Sequence, residues 1–367
     1  MDLRCWMVNG CLALLATIFS AQFPSQFLTQ LPAQDSAQDS AQDSAKDPAQ
    51  DSTTPRDEPA WDVVELIELS AKRDVWSPPR TLQLLGEIKS FESEQLKMVD
   101  RDGSERVVPS KYVVRVEPRW RTAEASQAHQ LYVDGRFDEL LKAVPAALKS
   151  NLVPWQQRML IAELVQAVAG LDKTRAAGAY FLTLAESKPP PMLYASIPLC
   201  WTTREPDQAL RDESRKWLEK KDDEAARLLG ASWLLFTDEQ AAAQQTLTQL
   251  QASPNVVIAQ LAVAQGWRRV PPPQTMADLN RWFEFRDKLL PPLQLGPTEF
   301  MADRLQRIGQ IELAIGEWSR IGREYTAQSL RAQQALGEAA AQLKRLGRDE
   351  ESQGFETWMK ELQKQPQ

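Results

Sequence analysis

The stretch LYVDGRFDELL, residues Leu131 to Leu141, contains the end of an apolar helix, a glycine and the start of a second, amphipathic helix. Glycine suits this place because it adopts left-handed backbone conformations without a steric penalty, which is how many helices end. Gly170, Gly309 and Gly347 stand in similar surroundings further along the chain. These units predict consecutive helix pairs over residues 122–362.

The predicted turns follow one another at nearly constant intervals. They lie at Gly135, Gly170, 204–206, 237–238, 271–273, Gly309 and Gly347. The spacing, about 35 residues, resembles the period of tetratricopeptide helix pairs, which is about 34 residues. The resemblance is to the architecture with degenerate motifs, since Leu140 and Leu141 stand where that family has a small residue. It implies an α-solenoid whose inner surface holds a protein or peptide partner.

A different pattern, with β-branched residues and a period of two, covers residues 61–119. It predicts strands at Asp62–Leu69, Leu82–Phe91, Gln95–Val99, Ser104–Val108 and Tyr112–Glu117. Asp100 to Gly103 has the composition of a tight hairpin turn. Short strands packed this densely in the sequence predict a small β-barrel.

The end of this region, VVPSKYVV from Val107 to Val114, resembles the last part of SH3-like barrels, where a short 3₁₀ turn precedes the final strand. In eukaryotic SH3 domains the matching proline and tyrosine line a groove for proline-rich peptides. The resemblance therefore implies that Pro109 and Tyr112 line such a groove, with Trp76 as the nearest further aromatic residue. The alternative is a barrel that only packs against its neighbours.

The first 60 residues resemble an export segment followed by a spacer. Residues 1–21 carry Arg4, an apolar run and small residues at the end, as a secretory signal peptide does. An uncleaved membrane anchor is the alternative. Residues 22–60 include repeated Ala-Gln-Asp-Ser tetrads, which have nothing large to bury and predict a disordered linker. We therefore expect an exported protein, periplasmic or extracellular, whose contact with a membrane is limited to this N-terminal segment.

Charge argues against nucleic acid as a partner. The chain has a formal net charge of −7. The stretch from Pro32 to Pro59 holds seven acidic and two basic residues, so the acidity belongs largely to the linker. The remainder is close to neutral and has no basic field that would attract a polyanion.

The inventory of reactive residues gives enzymatic chemistry little support. His129 is the single histidine of the chain, so no multi-histidine metal site can form and a catalytic triad is not indicated. We expect it to be an exposed or half-buried helix residue. Cys200 lies in an apolar context typical of a buried, inert thiol. We predict no catalytic residue, no cofactor and no metal.

Aromatic residues offer a further candidate site. Trp282, Phe283, Phe285 and Trp318 could line a groove for a sugar or a peptide. Trp282, Phe285 and Leu289 also fall on one helical stripe, which favours core packing instead. Trp282 is kept as a candidate binding residue.

These observations predict a mainly α protein, in which a disordered linker and a small SH3-like β-barrel precede a tetratricopeptide-like α-solenoid. The function that this architecture favours is a non-enzymatic exported scaffold or adaptor that binds a protein or peptide. Two alternatives stay open: a carbohydrate- or cell-wall-associated module accessory to an enzyme, and a hydrolase that works with carboxylates only.

Overall fold

The computed structural model describes residues 61–67, 80–202, 205–326 and 329–364. The predicted signal segment, the predicted linker and Trp76 lie outside these residues. The described chain is mainly helical, with a small antiparallel sheet ahead of the helices. Its helices are α1 Ala123–Val133, α2 Phe137–Lys149, α3 Pro154–Gly170, α4 Thr174–Glu186, α5 Gln208–Glu219, α6 Glu224–Leu234, α7 Gln240–Leu250, α8 Val256–Trp267, α9 Met276–Lys288, α10 Leu295–Arg307, α11 Ile311–Glu324, α12 Ser329–Arg345 and α13 Asp349–Lys364.

Five strands form the sheet in the order β4-β3-β2-β1-β5, with β4 and β5 at its edges. The strands are β1 Asp62–Ile67, β2 Thr81–Phe91, β3 Gln95–Asp100, β4 Glu105–Pro109 and β5 Val113–Glu117. All five strands predicted from the period of two are present. The predicted 3₁₀ turn, Ser110–Tyr112, directly precedes β5. Gly103 turns the β3–β4 hairpin at a φ of 85°, a conformation that side-chain-bearing residues rarely adopt.

Glycine turns join three of the helix pairs, as the sequence predicted. Gly135, Gly309 and Gly347 have φ angles of 69°, 79° and 73° and follow α1, α10 and α12. Gly170 is the last residue of α3, and Asp172 takes the left-handed conformation there with a φ of 56°. The helix–turn–helix pattern is therefore encoded locally at both ends of the helical region.

The middle of the helical region departs from the regular series. Between α4 and α5 the chain forms a 3₁₀ turn, Pro191–Ser196, and further irregular structure. The helix pair that follows, α5 and α6, turns at residues 220–223, where the sequence pattern predicted no turn. That turn has no glycine or proline; Asp223 instead caps α6 by accepting a hydrogen bond from the Ala226 amide at 2.9 Å. The predicted turn at 204–206 falls before α5, between pairs, and residue 204 is outside the described residues.

Distant parts of the helical region meet each other. The 3₁₀ turns Pro191–Ser196 and Pro291–Leu293 contact one another, and both contact β5. At the start of α12, Leu330 lies against Gly170, beside Phe137 of the first pair. The helical layer therefore curves back on itself, and the sheet occupies its inner side.

Arg158 of α3 fastens the sheet to the helices. It donates hydrogen bonds to the Phe91 carbonyl at 2.5 Å and to the Glu92 carboxylate at 2.8 and 2.9 Å. Gln156 of the same helix donates to the Arg119 carbonyl at 2.7 Å. Within the described ranges, no helix is long and apolar enough to cross a membrane.

Candidate functional site

A cavity of about 470 Å³ lies where the sheet faces the helical layer. One wall is the face of β1, β2 and β5 that points away from the buried core of the sheet. A second wall is formed by α1 and α3. The two 3₁₀ turns and the residues that end α11 complete the lining. The lining side chains on which the site depends are Glu65, Ile67, Thr81, Arg115, Glu117, His129, Tyr132, Met159, Glu163, Gln166, Met192, Arg323, Glu324 and Tyr325.

Strand alternation explains the sheet wall. Successive side chains of a strand point to opposite faces, so Val64 is fully buried in the core of the sheet while Glu65 faces the cavity. Register places Arg115 opposite Glu65 and Thr81 opposite Ile67. Arg115 is held by an ion pair with Glu117 at 2.5 Å.

Helical periodicity explains the opposite wall. Met159, Ala162, Glu163 and Gln166 of α3 recur at intervals of three and four residues, so they share one helix face. His129 and Tyr132 do the same on α1. Helix–helix packing brings these two faces together at the cavity.

Two hydrogen bonds link these faces. The Nδ1 atom of His129 lies 2.7 Å from Oε1 of Glu163, and the Tyr132 hydroxyl donates to Oε1 of Gln166 at 2.6 Å. Each pair is separated by 34 residues in sequence. Burial raises the pKa of Tyr132, and the negative charge of Glu163 adds to the effect. The Tyr132 hydroxyl therefore stays protonated and acts as a hydrogen-bond donor.

A buried network of charges supports the end of α11, which also lines the cavity. Arg286 of α9 is fully buried and donates to Glu317 of α11 and, at 2.9 Å, to Asp287. Burial raises the pKa of Glu317, while the charges of Arg286 and Arg320 oppose that rise. Arg320 also pairs with the cavity-lining Glu324 at 3.5 Å. The network holds the end of α11 in place beside the cavity.

The residues predicted as binding residues lie elsewhere. Pro109 is exposed at the end of β4, and Tyr112 is half-buried beneath the ammonium group of Lys111, 5.0 Å from its ring centroid. Trp282 is only 8% exposed and stacks on Phe300 with ring centroids 5.7 Å apart. The structure brings none of these three to the cavity, and Trp76 lies outside the described residues.

The structure also tests the predictions made for His129, Cys200 and Phe285. His129 is half-buried on α1, as expected, but its pairing with Glu163 across two helices was missed. The available signal was the spacing of 34 residues, which gives the two positions the same place in successive helix pairs. Cys200 is buried, and its thiol donates to the Thr202 carbonyl at 3.4 Å. Phe285, expected on the same buried stripe as Trp282, is 46% exposed.

The cavity offers hydrogen-bonding and apolar surface together. Its carboxylates, guanidinium groups, amide and phenol can orient a ligand, and its methionine and isoleucine side chains can cover apolar parts. In the part of the chain that the structure describes, no group of three or more histidine, cysteine, aspartate or glutamate residues could hold a metal ion. Comparison of the chain with protein-family models, with curated proteins and with solved structures found no match.

Proposed function

We propose that this chain is a non-catalytic binding protein that holds a segment of a partner protein in the cavity between the sheet and the helices. The cavity itself is the observation that carries the proposal. Its volume of about 470 Å³ falls within the range of ligand pockets, about 300–1,000 Å³. Its mixed lining suits a peptide, which presents backbone donors and acceptors beside apolar side chains.

The fixed geometry of the lining suits the binding of a ligand. His129, Tyr132 and Arg115 each already have a protein partner at the cavity wall. Side chains held in this way are positioned before a ligand arrives, which reduces the entropy lost on binding.

We also propose which known types of structure the helix pairs and the sheet resemble. We interpret the helix pairs as tetratricopeptide-like, because His129 and Glu163 occupy equivalent places 34 residues apart. We interpret the sheet as SH3-like, because a 3₁₀ turn precedes its last strand. Helical repeats of this kind usually bind peptides or proteins on their inner side, so the analogy supports a scaffold or adaptor role. The sequence of residues 1–21 supports export of that adaptor.

Position 81 permits a direct test of the cavity. Thr81 lines the cavity and is exposed at the start of β2, whereas the neighbouring Leu82 is 54% exposed and does not line it. Thr81→Trp should therefore fill the cavity from its open side, and Leu82→Trp is the matched control. Affinity capture from a cell-envelope extract would compare the full chain with both variants.

The expected result is a partner captured by the wild type and by Leu82→Trp, and lost with Thr81→Trp. A photo-reactive amino acid placed at position 81 should crosslink to one segment of that partner, which mass spectrometry would identify. Capture that survives Thr81→Trp, or crosslinks that form equally well from position 82, would overturn the cavity as the binding site.

A carboxylate-based hydrolase is the second candidate. Four glutamates, Glu65, Glu117, Glu163 and Glu324, line the cavity, and a pair of carboxyl groups is the usual machinery of glycoside hydrolysis. Incubation with soluble glycans, followed by an assay for new reducing ends, would test this candidate. Product formed by the wild type and abolished in Glu163→Gln would replace the binding proposal. The carbohydrate-binding alternative has less support, because Trp282, Phe283 and Trp318 are buried.

A further inference from the structure

Glu163 has one carboxylate oxygen that no protein group uses within the described residues. Its side chain is only 9% exposed and lines the cavity. Oε1 lies 2.7 Å from His129, whereas the buried Oε2 has no hydrogen-bond partner in the described part of the chain. An unsatisfied carboxylate oxygen in a buried site is unfavourable, so a donor that enters the cavity and reaches the Glu163 carboxylate would be favoured.

The charge of the lining also favours a ligand that carries a positive charge. The lining includes four glutamates and two arginines. Arg115 pairs with Glu117, and Arg323 and Arg320 both pair with Glu324, so the arginines offset two of the four glutamates and leave the charges of Glu65 and Glu163. The cavity therefore carries an excess of negative charge, which repels an anion and attracts a cation.

The apolar part of the lining suits the stem of a long basic side chain. Met159 lies one helical turn from Glu163 on α3, and Met192 and Ile67 also line the cavity. Lysine and arginine bury their aliphatic stems against such surfaces while the charged end reaches a polar partner. Methionine side chains adapt readily to stems of different shape.

We infer that the cavity receives a cationic side chain of the partner segment, an ammonium or a guanidinium group, which donates a hydrogen bond to the carboxylate of Glu163. This inference rests on the proposed function and specifies its ligand. Charge-assisted hydrogen bonds of this kind are among the stronger polar contacts in proteins. Lysine and arginine share the required chemistry, and the test separates them.

The test uses the full chain and four blocked tripeptides. Acetyl-Ala-Lys-Ala-amide and its arginine counterpart carry the cation, while the acetyl-lysine and glutamate counterparts do not. Dissociation constants would come from titrations followed by ligand-observed nuclear magnetic resonance. We expect one or both cationic peptides to bind about tenfold or more tightly than the acetyl-lysine peptide.

Variants locate the contact. Glu163→Gln should weaken binding of the cationic peptide about tenfold or more, because it removes the charge and one acceptor. Glu65→Gln, on the half-buried opposite wall, removes a lining charge with less risk to folding and should weaken binding by a smaller factor. Glu284→Gln, an exposed residue of α9, is the matched control and should leave binding unchanged. Circular dichroism would verify that each variant is folded.

Equal binding of the lysine and acetyl-lysine peptides, or no weakening by either cavity variant, would overturn this inference. So would the absence of binding by both cationic peptides at their solubility limit. These outcomes leave the proposed function standing if Thr81→Trp still abolishes capture of a partner. Failure of that capture experiment would remove the proposed function separately.

Discussion

His129 of α1 and Glu163 of α3 face each other at the cavity, with Nδ1 and Oε1 2.7 Å apart. The two residues are 34 positions apart, and Tyr132 and Gln166 repeat the same relationship one helical turn further on. The first two helix pairs thus place equivalent positions side by side. A contact between successive helix pairs therefore forms part of the cavity wall.

A double-mutant cycle should detect the His129–Glu163 contact. We expect a coupling free energy of about 0.5–3 kcal/mol between His129→Gln and Glu163→Gln, because the two groups share one hydrogen bond. Urea unfolding followed by circular dichroism would measure the free energy of unfolding. The pair His129→Gln and Glu284→Gln is the control and should be additive. Additivity of the first pair would contradict the contact.

Replacing only one partner of the ion pair between Arg286 and Glu317 should strongly lower the free energy of unfolding. Both side chains are almost completely buried, at 0% and 2% exposed. Removing one partner leaves an uncompensated charge in the core, so Glu317→Gln or Arg286→Met should each lower the free energy of unfolding by about 3–5 kcal/mol. Thermal and urea unfolding would measure the loss.

The double variant gives the sharper comparison. Arg286→Met with Glu317→Leu replaces both charges by apolar groups and should cost less than either single change. The exposed pair Arg136 and Glu139 is the control, and breaking it should leave the free energy of unfolding almost unchanged. A double variant as unstable as the sum of the single variants would contradict the buried pair.

Local patterns were sufficient to predict much of this fold. The strands follow from alternation near Val64, and three of the helix turns follow from glycines such as Gly135 that must adopt positive φ. The turn before Asp223 was missed because an aspartate cap replaced the usual glycine signal. Such caps use a residue type that is common throughout the sequence, so they are hard to recognise in advance.

The cavity could not be predicted in the same way. Glu65, Glu163 and Glu324 lie on β1, α3 and α11, and only the curvature of the helical layer brings them to one space. Curvature accumulates from small rotations between helix pairs, which leave no local mark in the sequence. Trp282 is the opposite case: its residue type suggested a binding site, but its ring packs against Phe300 in the core.

Substitution of glycine by alanine should lower the free energy of unfolding at Gly230, where two helices pack closely, and raise it at Gly337. A Cβ atom at Gly230 of α6 would lie 2.5 Å from the Ser214 carbonyl oxygen and 2.6 Å from the Leu218 amide nitrogen of α5. Both are backbone atoms, so the helices would have to separate. Gly230→Ala should lower the free energy of unfolding by about 1–3 kcal/mol.

Gly337 is the matched control. It lies inside α12, and a methyl group added there would meet no described atom of a neighbouring element within 4 Å. Gly337→Ala should therefore raise the free energy of unfolding by about 0.5–1 kcal/mol through the lower entropy of the unfolded chain. Urea unfolding of both variants would measure the two changes. Destabilisation of similar size at both positions would contradict the difference in packing.

Glu239 should make stability depend on pH in the acid range. Burial opposes ionisation of Glu239, but hydrogen bonds with the side chains of Thr237, Asp238 and Arg215 outweigh it and lower its pKa from 4.5 to about 2. The unfolded chain therefore binds a proton at higher pH than the folded one. The stabilising contribution is complete above about pH 4.5 and is lost as the pH falls to about 2.

Comparison with Glu239→Gln isolates this contribution. The difference in free energy of unfolding between the wild type and the variant should be constant above about pH 5 and shrink steadily between pH 4.5 and 2. Thr237→Val removes one of the hydrogen bonds and should move the loss to higher pH. Urea unfolding at a series of pH values would measure both effects, and a difference independent of pH would refute them.

Arg158 should control how firmly the sheet wall of the cavity is held. It is 5% exposed, and its guanidinium group reaches the Phe91 carbonyl and both carboxylate oxygens of Glu92. Lysine offers a point charge in place of this planar fork, so Arg158→Lys should lose about 1–3 kcal/mol of stability. The loss should fall on the contact between α3 and the β2–β3 turn.

Hydrogen exchange can resolve that location. In Arg158→Lys the amides of β2 and β3 near Phe91 should exchange faster, while those of α12 and α13 should keep their wild-type rates. Arg175→Lys, an exposed position on α4, is the control and should leave exchange unchanged in both regions. Because Glu65 and Thr81 belong to the same sheet, the loosened sheet should also hold a ligand less tightly. Unchanged exchange in β2 and β3 would show that other contacts, such as that of Gln156 with Arg119, suffice to fix the wall.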